Sequence, residues 1–218
     1  MSITFWMVSP PFGPEIREDA TLTVVDAPRA NIYDREYHFT QSWFPLHVSV
    51  WEAVLARYTD KPNVQYLEIG LFEGGSAMWV LDNILTHPTS HMTGIDPFED
   101  TESHEAQFPT YPERFRANLD LSGATSRTTV IQGFSQTAMR DLPLEHYDII
   151  YIDGSHEYED ALEDAVRARR LLKPGGVLII DDYLGIRTVR RAANQFYWAF
   201  GEEFELTHKG RQLILTKV

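Results

Sequence analysis

The 218-residue sequence contains no cysteine. Disulfide bonds, zinc sites built on thiolates and a cysteine nucleophile are therefore all excluded. Basic residues are also scarce, because 19 lysines and arginines face 32 aspartates and glutamates, which gives a net charge of −13. This deficit argues against a nucleic acid or an anionic membrane surface as the partner, since phosphate binding depends on clustered lysine and arginine.

Long apolar runs are missing as well. The apolar stretch at residues 3–8 is too short for a signal peptide or a membrane span, so we expect a cytoplasmic protein. A hydrophobic content of 43% is enough for a sizeable core. We divide the chain into an irregular N-terminal cap or arm with four prolines, residues 1–42, and one main domain, residues 43–218.

Strand and helix patterns alternate along the main domain. Strands are predicted at residues 64–69, 91–95, 128–132, 147–152 and 177–180, and a hairpin at 203–208 and 212–217. Helices are predicted at residues 43–58, 76–86, 113–121, 135–141, 155–172 and 186–200, with a loop insertion at 98–112. Apolar strands interleaved with helices predict an α/β fold with a parallel sheet covered on both faces.

A glycine-rich loop at residues 68–76 follows the first predicted strand. It lacks the G-x-G-x-x-G spacing of a dinucleotide fold, and its two glutamates would repel a pyrophosphate. A cofactor with a cationic end, such as S-adenosylmethionine, suits it better. Gly70 and Gly74 would let the backbone approach the ligand, and the helix that begins near Ser76 offers N–H groups to its carboxylate. The alternative is a plain tight turn between strand and helix.

Residues after the next two strands extend this predicted cofactor site. Asp96 ends the second strand, where a carboxylate can accept both ribose hydroxyls. Phe134 or Gln136, after the third strand, could cover or bond the adenine, and Ser135 lies between them. The alternative for this segment is a core phenylalanine and a serine that caps a helix.

Three aspartates are predicted at the ends of two consecutive strands, where open α/β sheets bind their ligands. Asp153 ends one strand, and Asp181 and Asp182 end the next. Converging carboxylates repel each other unless a cation is present, and Mg²⁺ prefers such oxygen ligands. Neighbours on a strand point to opposite sides, so the chain must bend if both Asp181 and Asp182 are ligands. The alternative is that one or two of them cap helices.

His156 lies three residues after Asp153, at the predicted start of a helix. A helix N-terminus disfavours imidazolium, so we expect a neutral histidine that can act as a general base. A surface histidine in a first helical turn is an equally good interpretation. His38 and His47 could line a cap over the site, but we interpret them as ordinary satisfied or solvated side chains.

These segments together resemble the class I S-adenosylmethionine-dependent methyltransferases. The resemblance covers residues 43–218 and rests on residues 66–70, 94–96, 152–156 and 172–183. It is nearest to the metal-dependent O-methyltransferases of natural-product tailoring, such as those that act on macrolide and aminocoumarin sugars. It implies a Rossmann-like seven-stranded, mostly parallel sheet with an antiparallel C-terminal hairpin and helices on both faces.

The resemblance also implies roles for individual residues. It implies Mg²⁺ ligands at Asp153, Asp181 and Asp182, and catalytic roles for His156 and Asp153. The predicted cofactor contacts are Glu68, Gly70, Gly74, Ser76, Asp96, Phe134, Ser135 and Asp153.

The sequence therefore predicts a Mg²⁺-dependent O-methyltransferase that uses S-adenosylmethionine. The acceptor is expected to be a hydroxyl of a small molecule such as a sugar diol or a catechol, and a homodimer would be unsurprising for the family. Two alternatives stay open: a metal-independent N- or C-methyltransferase with structural aspartates, and a non-catalytic binding module with the same fold.

Overall fold

The computed structural model describes residues 16, 32–33, 35–99 and 111–218. The strands are β1 (Gln65–Ile69), β2 (His91–Asp96), β3 (Thr128–Gln132), β4 (Tyr147–Ile152), β5 (Leu172–Ile180), β6 (Phe204–Lys209) and β7 (Leu213–Lys217). The α-helices are α1 (Val48–Leu55), α2 (Gly75–Asn83), α3 (Tyr111–Ser122), α4 (Ser135–Ala138), α5 (Tyr158–Leu171) and α6 (Arg187–Phe200). Short 3-10 turns precede and follow α1 at Phe44–His47 and Ala56–Tyr58.

The seven strands of the described residues form one sheet in the order β3-β2-β1-β4-β5-β7-β6. The first five strands are parallel, and β7 is antiparallel to both β5 and β6. This confirms the predicted fold class. The strand order reverses direction between β1 and β4, which lie side by side, and such a switch point opens a crevice at the carboxyl ends of the strands.

The central strands β1, β4 and β5 are buried on both faces of the sheet, and successive residues of each strand point to opposite sides. In β1, Tyr66 packs into one apolar cluster with Trp51 and Trp79, while Leu67 packs into a second cluster with Phe196. Helices therefore cover both faces of the sheet. This explains why the strands appear in the sequence as continuous apolar runs rather than as alternating patterns.

Two predicted element boundaries near the site differ from the structure. The long helix α5 begins at Tyr158 rather than at residue 155, so Ser155 and His156 lie in the loop before it. Strand β5 begins at Leu172 rather than at residue 177. The segment with Pro174 and two glycines is part of this strand because Leu172 already pairs with Tyr147 of β4.

Some predictions concern segments that the structure does not describe. Most of the predicted cap, residues 1–42, and most of the predicted loop insertion, residues 100–110, lie outside the described residues. The division of the chain into a cap and a main domain therefore stays a prediction. Within the described parts of the chain, no helix is long and apolar enough to cross a membrane.

Gly70 allows the closest approach between β1 and β4. Its φ is +86°, and a Cβ added to it would lie 1.9 Å from the carbonyl oxygen of Asp153. Gly123 also has a positive φ, +69°, but a Cβ there would meet no atom within 4 Å. An alanine at Gly123 would therefore carry only the cost of a left-handed backbone. An alanine at Gly70 would carry that cost and also collide with the end of β4.

We predict that Gly123→Ala lowers the free energy of unfolding by about 1 kcal/mol, the usual cost of a left-handed alanine. Gly70→Ala carries the same cost and must also displace the end of β4, so a loss of at least about 3 kcal/mol is expected. Urea denaturation of both variants and the wild type measures the difference. Equal losses in the two variants would contradict this account of Gly70.

Candidate active site

Asp96, at the end of β2, holds the glycine loop in place. Its Oδ2 accepts hydrogen bonds from the backbone N–H groups of Leu71 at 2.7 Å and Phe72 at 3.1 Å. Its Oδ1 accepts one from the N–H of Phe98 at 2.7 Å. The side chain is buried, and this burial raises its pKa, while the three backbone donors act in the opposite direction. The loop and the predicted ribose site are thus fixed to each other.

Glu73 turns away from the surface of the loop and into the protein. Its carboxylate accepts hydrogen bonds from the backbone N–H and the hydroxyl of Thr40 at 2.6 and 2.8 Å. Arg114 Nε lies 3.2 Å from the same carboxylate, and Asn118 Nδ2 donates to the Glu73 carbonyl oxygen at 2.9 Å. Glu73 therefore links the loop to α3 and to the chain before α1. The expectation that its charge would face a bound cofactor is wrong.

Glu68 is fully buried beneath the same loop. Its Oε2 accepts a hydrogen bond from the Tyr66 hydroxyl at 2.6 Å, and its Oε1 accepts one from Ser76 at the start of α2. Burial raises the pKa of Glu68 to about 7, although the two hydrogen bonds act to lower it. Glu68 and Ser76 were both predicted as cofactor contacts. The structure places them in one buried network that supports the loop and α2.

Gly70 and Gly74 adopt the left-handed backbone conformation at the two ends of the loop. At Gly74 a Cβ would also lie 3.0 Å from the ring of Phe115, so this glycine allows α3 to pack closely. The backbone conformation and the close packing therefore explain both glycines without a ligand. Their predicted contacts with the cofactor stay predictions.

Asp153 and Asp181 lie at the carboxyl ends of β4 and β5 and share one partner. The hydroxyl of Tyr151 lies 2.9 Å from Asp153 Oδ2 and also contacts Asp181 Oδ2. Burial raises the pKa of Asp153 well above its usual range, and the negative charges of Asp181 and Asp182 raise it further. The convergence predicted from the strand ends is therefore present in the structure.

The chain bends at Asp182, as a shared site with Asp181 requires. Asp182 has a φ of +53°, its N–H donates to Asp181 Oδ1 at 2.7 Å, and its carbonyl oxygen accepts from Ile186. This turn brings Asp182 Oδ2 to 3.1 Å from Nε2 of His156. One donor atom from each of Asp153, His156 and Asp182 lies within 4.8 Å of the other two. We call these three residues the acidic cluster.

His156 lies in a different setting from the one that the sequence predicted. It lies before α5 rather than in its first turn, and its hydrogen bond with Asp182 raises its pKa, while burial acts in the opposite direction. The main influence on its pKa is thus the neighbouring carboxylate of Asp182. The assignment of His156 as a base stays a prediction.

The segment after β3 continues the site beyond Asp96. The N–H of Gly133 donates to the Asp96 carbonyl oxygen at 3.0 Å. Phe134 is 49% exposed, so the alternative of a core phenylalanine is wrong. Ser135 begins α4 and donates from its hydroxyl to the buried Asp164 at 2.7 Å, so it does not act as the helix cap. The predicted contacts of Phe134 and Ser135 with the adenine stay predictions.

Several residues of the site were not identified from the sequence. Tyr151 and Tyr66 could have been found, because each lies two residues before an acid on the same strand and so shares its face. His47 was interpreted as ordinary, but its Nε2 lies 3.7 Å from Asp181 Oδ1. Asp164 gave no signal, since its partner Ser135 lies 29 positions away in the sequence.

Comparison with known proteins identifies the family. Residues 67–183 match a family model described as a methyltransferase domain. The chain belongs to this methyltransferase family. The prediction of the class I S-adenosylmethionine-dependent methyltransferase family is therefore confirmed.

Individual relatives are distant. A protein of Acanthamoeba polyphaga mimivirus, R132, is 26% identical over 165 residues, which cover 73% of this chain and 66% of that protein. A Mycobacterium sp. (strain JLS) protein provisionally named an O-methyltransferase is 29% identical over 143 residues, which cover 65% of this chain and 58% of that protein. The matched segments thus span less than two thirds of either relative.

A solved structure shows the same fold. The O-methyltransferase TomG from Streptomyces achromogenes, in complex with S-adenosylmethionine, aligns with a TM-score of 0.56 and 16% identity. The alignment covers 76% of this chain and 76% of TomG. At this identity the likeness establishes the shared fold.

Glu68 should make stability depend on pH. Its pKa rises from 4.5 to about 7 on folding, so the folded state binds the proton more tightly than the unfolded state. The free energy of unfolding should therefore fall as the pH rises from about 4.5 to 7. We predict that Glu68→Gln removes on the order of 1–3 kcal/mol of this fall.

Urea denaturation at a series of pH values between 4.5 and 8 measures this effect. Glu159→Gln is the matched control, because Glu159 is exposed in the first turn of α5. It should keep the pH dependence of the wild type. An unchanged slope in Glu68→Gln would show that Glu68 is ionised throughout this range in the folded protein.

Proposed function

We propose that this protein transfers a methyl group from S-adenosylmethionine to a hydroxyl of a small molecule, with a divalent cation such as Mg²⁺ at the acidic cluster. The observation that carries the proposal is the convergence of Asp153, His156 and Asp182 next to the glycine loop. Membership of the methyltransferase family supports the methyl transfer. TomG, which has this fold, binds S-adenosylmethionine and is an O-methyltransferase.

The residues of the acidic cluster fit a divalent cation. Two carboxylates and an imidazole present donor atoms within 4.8 Å of one another, and oxygen and imidazole donors suit such ions. Burial raises the pKa of Asp153, and the neighbouring carboxylates raise it further by a charge repulsion that a positive charge would relieve. Asp181 is the predicted further ligand, and Tyr151 holds it beside Asp153. Such an ion lowers the pKa of a hydroxyl that it contacts.

Asp96 keeps room to accept a hydrogen bond from one hydroxyl of the ribose, fewer than the two that the sequence predicted. A carboxylate has about four lone-pair sites, and backbone N–H groups occupy three of those of Asp96. The exposed ring of Phe134 lies beyond it and would cover the adenine. The methionine end of the cofactor would then lie along the glycine loop, towards Asp153. Gly70, which packs against the Asp153 backbone, keeps these two parts of the site adjacent.

The acceptor hydroxyl would lose its proton to His156 or to Asp153. A cation at the acidic cluster would favour the deprotonated form of both groups, which is the form that accepts this proton. The oxygen then attacks the methyl carbon in line with the departing sulfur. Much of the rate enhancement would come from holding oxygen, carbon and sulfur in this alignment.

The acceptor is proposed to be a sugar diol or a catechol, since either offers two neighbouring oxygens. Trp43 would form one wall of its site. The Trp43 side chain is 55% exposed, and its ring centroid lies 5.5 Å from that of Phe72 in the glycine loop. Four residues further on, His47 approaches Asp181. The 3-10 turn after Trp43 thus leads from the glycine loop towards the end of β5.

Metal-dependent turnover tests the proposal. Wild-type protein with S-adenosylmethionine, Mg²⁺ and a catechol or a vicinal sugar diol should produce S-adenosylhomocysteine, and EDTA should abolish this. Asp182→Asn removes one charge of the acidic cluster and should lower turnover by at least about 100-fold at fixed Mg²⁺, because outer-sphere changes alone cost 10- to 100-fold at metal sites. Asp141→Asn, at an exposed aspartate outside the cluster, should turn over like the wild type.

The alternatives predict different results in the same assay. Turnover that persists in EDTA and in Asp182→Asn would support a metal-independent methyltransferase and contradict the metal proposal. Binding of S-adenosylhomocysteine without turnover of either acceptor class would favour the non-catalytic module. Restoration of the Asp182→Asn activity by raised Mg²⁺ would place the defect in cation binding.

A further inference from the structure

A pocket that the proposed reaction does not use lies at the opposite edge of the sheet. It has a volume of about 300 Å³, and its walls are the connection from α4 to β4 and the C-terminal end of α5. These segments lie at the amino ends of β4 and β5, whereas the acidic cluster lies at their carboxyl ends. A strand rises about 3.3 Å per residue, so β4 alone spans roughly 17 Å between the two edges. The pocket is therefore separate from the proposed reaction site.

The two walls of the pocket are joined by backbone hydrogen bonds. The N–H of Glu145 donates to the Arg170 carbonyl oxygen at 3.0 Å, and the N–H of His146 donates to the Leu171 carbonyl oxygen at 2.8 Å. Met139 and Leu171 line the pocket and are each only 2% exposed, so they form its buried apolar part. The pocket is thus formed without a ligand, and its volume is at the lower end of the range for small-molecule sites.

Three arginines line the same pocket, namely Arg140, Arg167 and Arg170. Arg140 and Arg170 are exposed, and neither forms an ion pair with any residue that the structure describes. Arg167 is bound to Glu163 on the same helix, with its Nε 2.9 Å from Oε1. Such a group of cations is notable in a chain with a net charge of −13. Because the arginine fork suits the oxygens of a carboxylate, the charge that complements this pocket is an anion.

Ordinary structural roles explain only part of this arrangement. Arg170 lies in the last turn of α5, where a cation is favourable beside the C-terminus of the helix. Arg140 belongs to the other wall of the pocket, so the helix does not account for it. Leu144, on the same wall as Arg140, also lines the pocket and is 59% exposed. Apolar side chains with a few polar groups that fix orientation are typical of a small-molecule site.

We propose that this pocket binds a small organic anion, such as an ionised carboxylic acid with an apolar body. The apolar body lies against Met139, Leu144 and Leu171, and the charged group lies between Arg140 and Arg170. The inference does not depend on the proposed function, since the pocket and the acidic cluster are at opposite edges of the sheet. It gives the chain a second ligand site besides that of methyl transfer.

Calorimetric titration with three ligands tests this inference. Octanoate has both the charge and the apolar body, octanamide is its neutral analogue, and acetate lacks the apolar body. One octanoate should bind per chain, at least about fivefold more tightly than octanamide, because the amide cannot form charge-assisted hydrogen bonds with arginine. It should bind at least about tenfold more tightly than acetate, because its longer chain leaves water. Added S-adenosylhomocysteine and Mg²⁺ should not change the octanoate affinity, since their proposed site is at the other edge of the sheet.

Variants of the two exposed arginines locate the binding. Arg140→Gln and Arg170→Gln should each weaken octanoate binding by at least about threefold. The variant with both changes should bind octanoate no more tightly than the wild type binds octanamide. Arg211→Gln is the matched control, because Arg211 is an exposed arginine between β6 and β7, outside the pocket. It should bind octanoate like the wild type.

Three results would overturn the inference. The first is the absence of saturable octanoate binding to the wild type. The second is equal affinity for octanoate and octanamide, which would show an apolar pocket that does not recognise an anion. The third is octanoate binding that persists unchanged in the variant with both arginines replaced, or that S-adenosylhomocysteine displaces, because either would place the ligand elsewhere on the protein.

Discussion

The site depends on the close packing of β1 against β4 at the point where the strand order reverses. Gly70 makes it possible, because any side chain at that position would collide with the backbone at Asp153. The packing brings the loop after β1 and the aspartate after β4 to one edge of the sheet, which is where parallel sheets bind their ligands. The rest of the site is arranged around this contact: Asp96 anchors the loop from one side, and β5 brings Asp181 and Asp182 from the other.

The carboxyl groups of the site fall into two sets. Glu68, Glu73 and Asp96 each receive several hydrogen bonds and hold the glycine loop on its strands and helices. At the ends of β4 and β5, burial raises the pKa of Asp153 and the negative charges of Asp181 and Asp182 raise it further. The first three acids thus have hydrogen-bond partners within the protein and support the glycine loop. The acids at the ends of β4 and β5 carry charge that a cation would balance, and they are the acids proposed to take part in the reaction.

The sequence predicted the sheet well because its apolar runs and glycine turns are local signals. It also predicted the convergence of Asp153 with Asp181, since strand ends in a parallel sheet share an edge. The orientation of Glu73 was not predictable, because it depends on Thr40 and on Arg114, 41 positions later in the chain. The raised pKa of His156 depends in the same way on the turn at Asp182, which no local pattern revealed.

The measurement that tests the central claim most directly is a calorimetric titration of the protein with Mg²⁺ in the presence of S-adenosylhomocysteine. The account predicts saturable binding of one cation per chain, and loss of that binding in Asp153→Asn, because the acidic cluster is the proposed cation site. Absence of saturable binding in the wild type, or binding unchanged in Asp153→Asn, would contradict it.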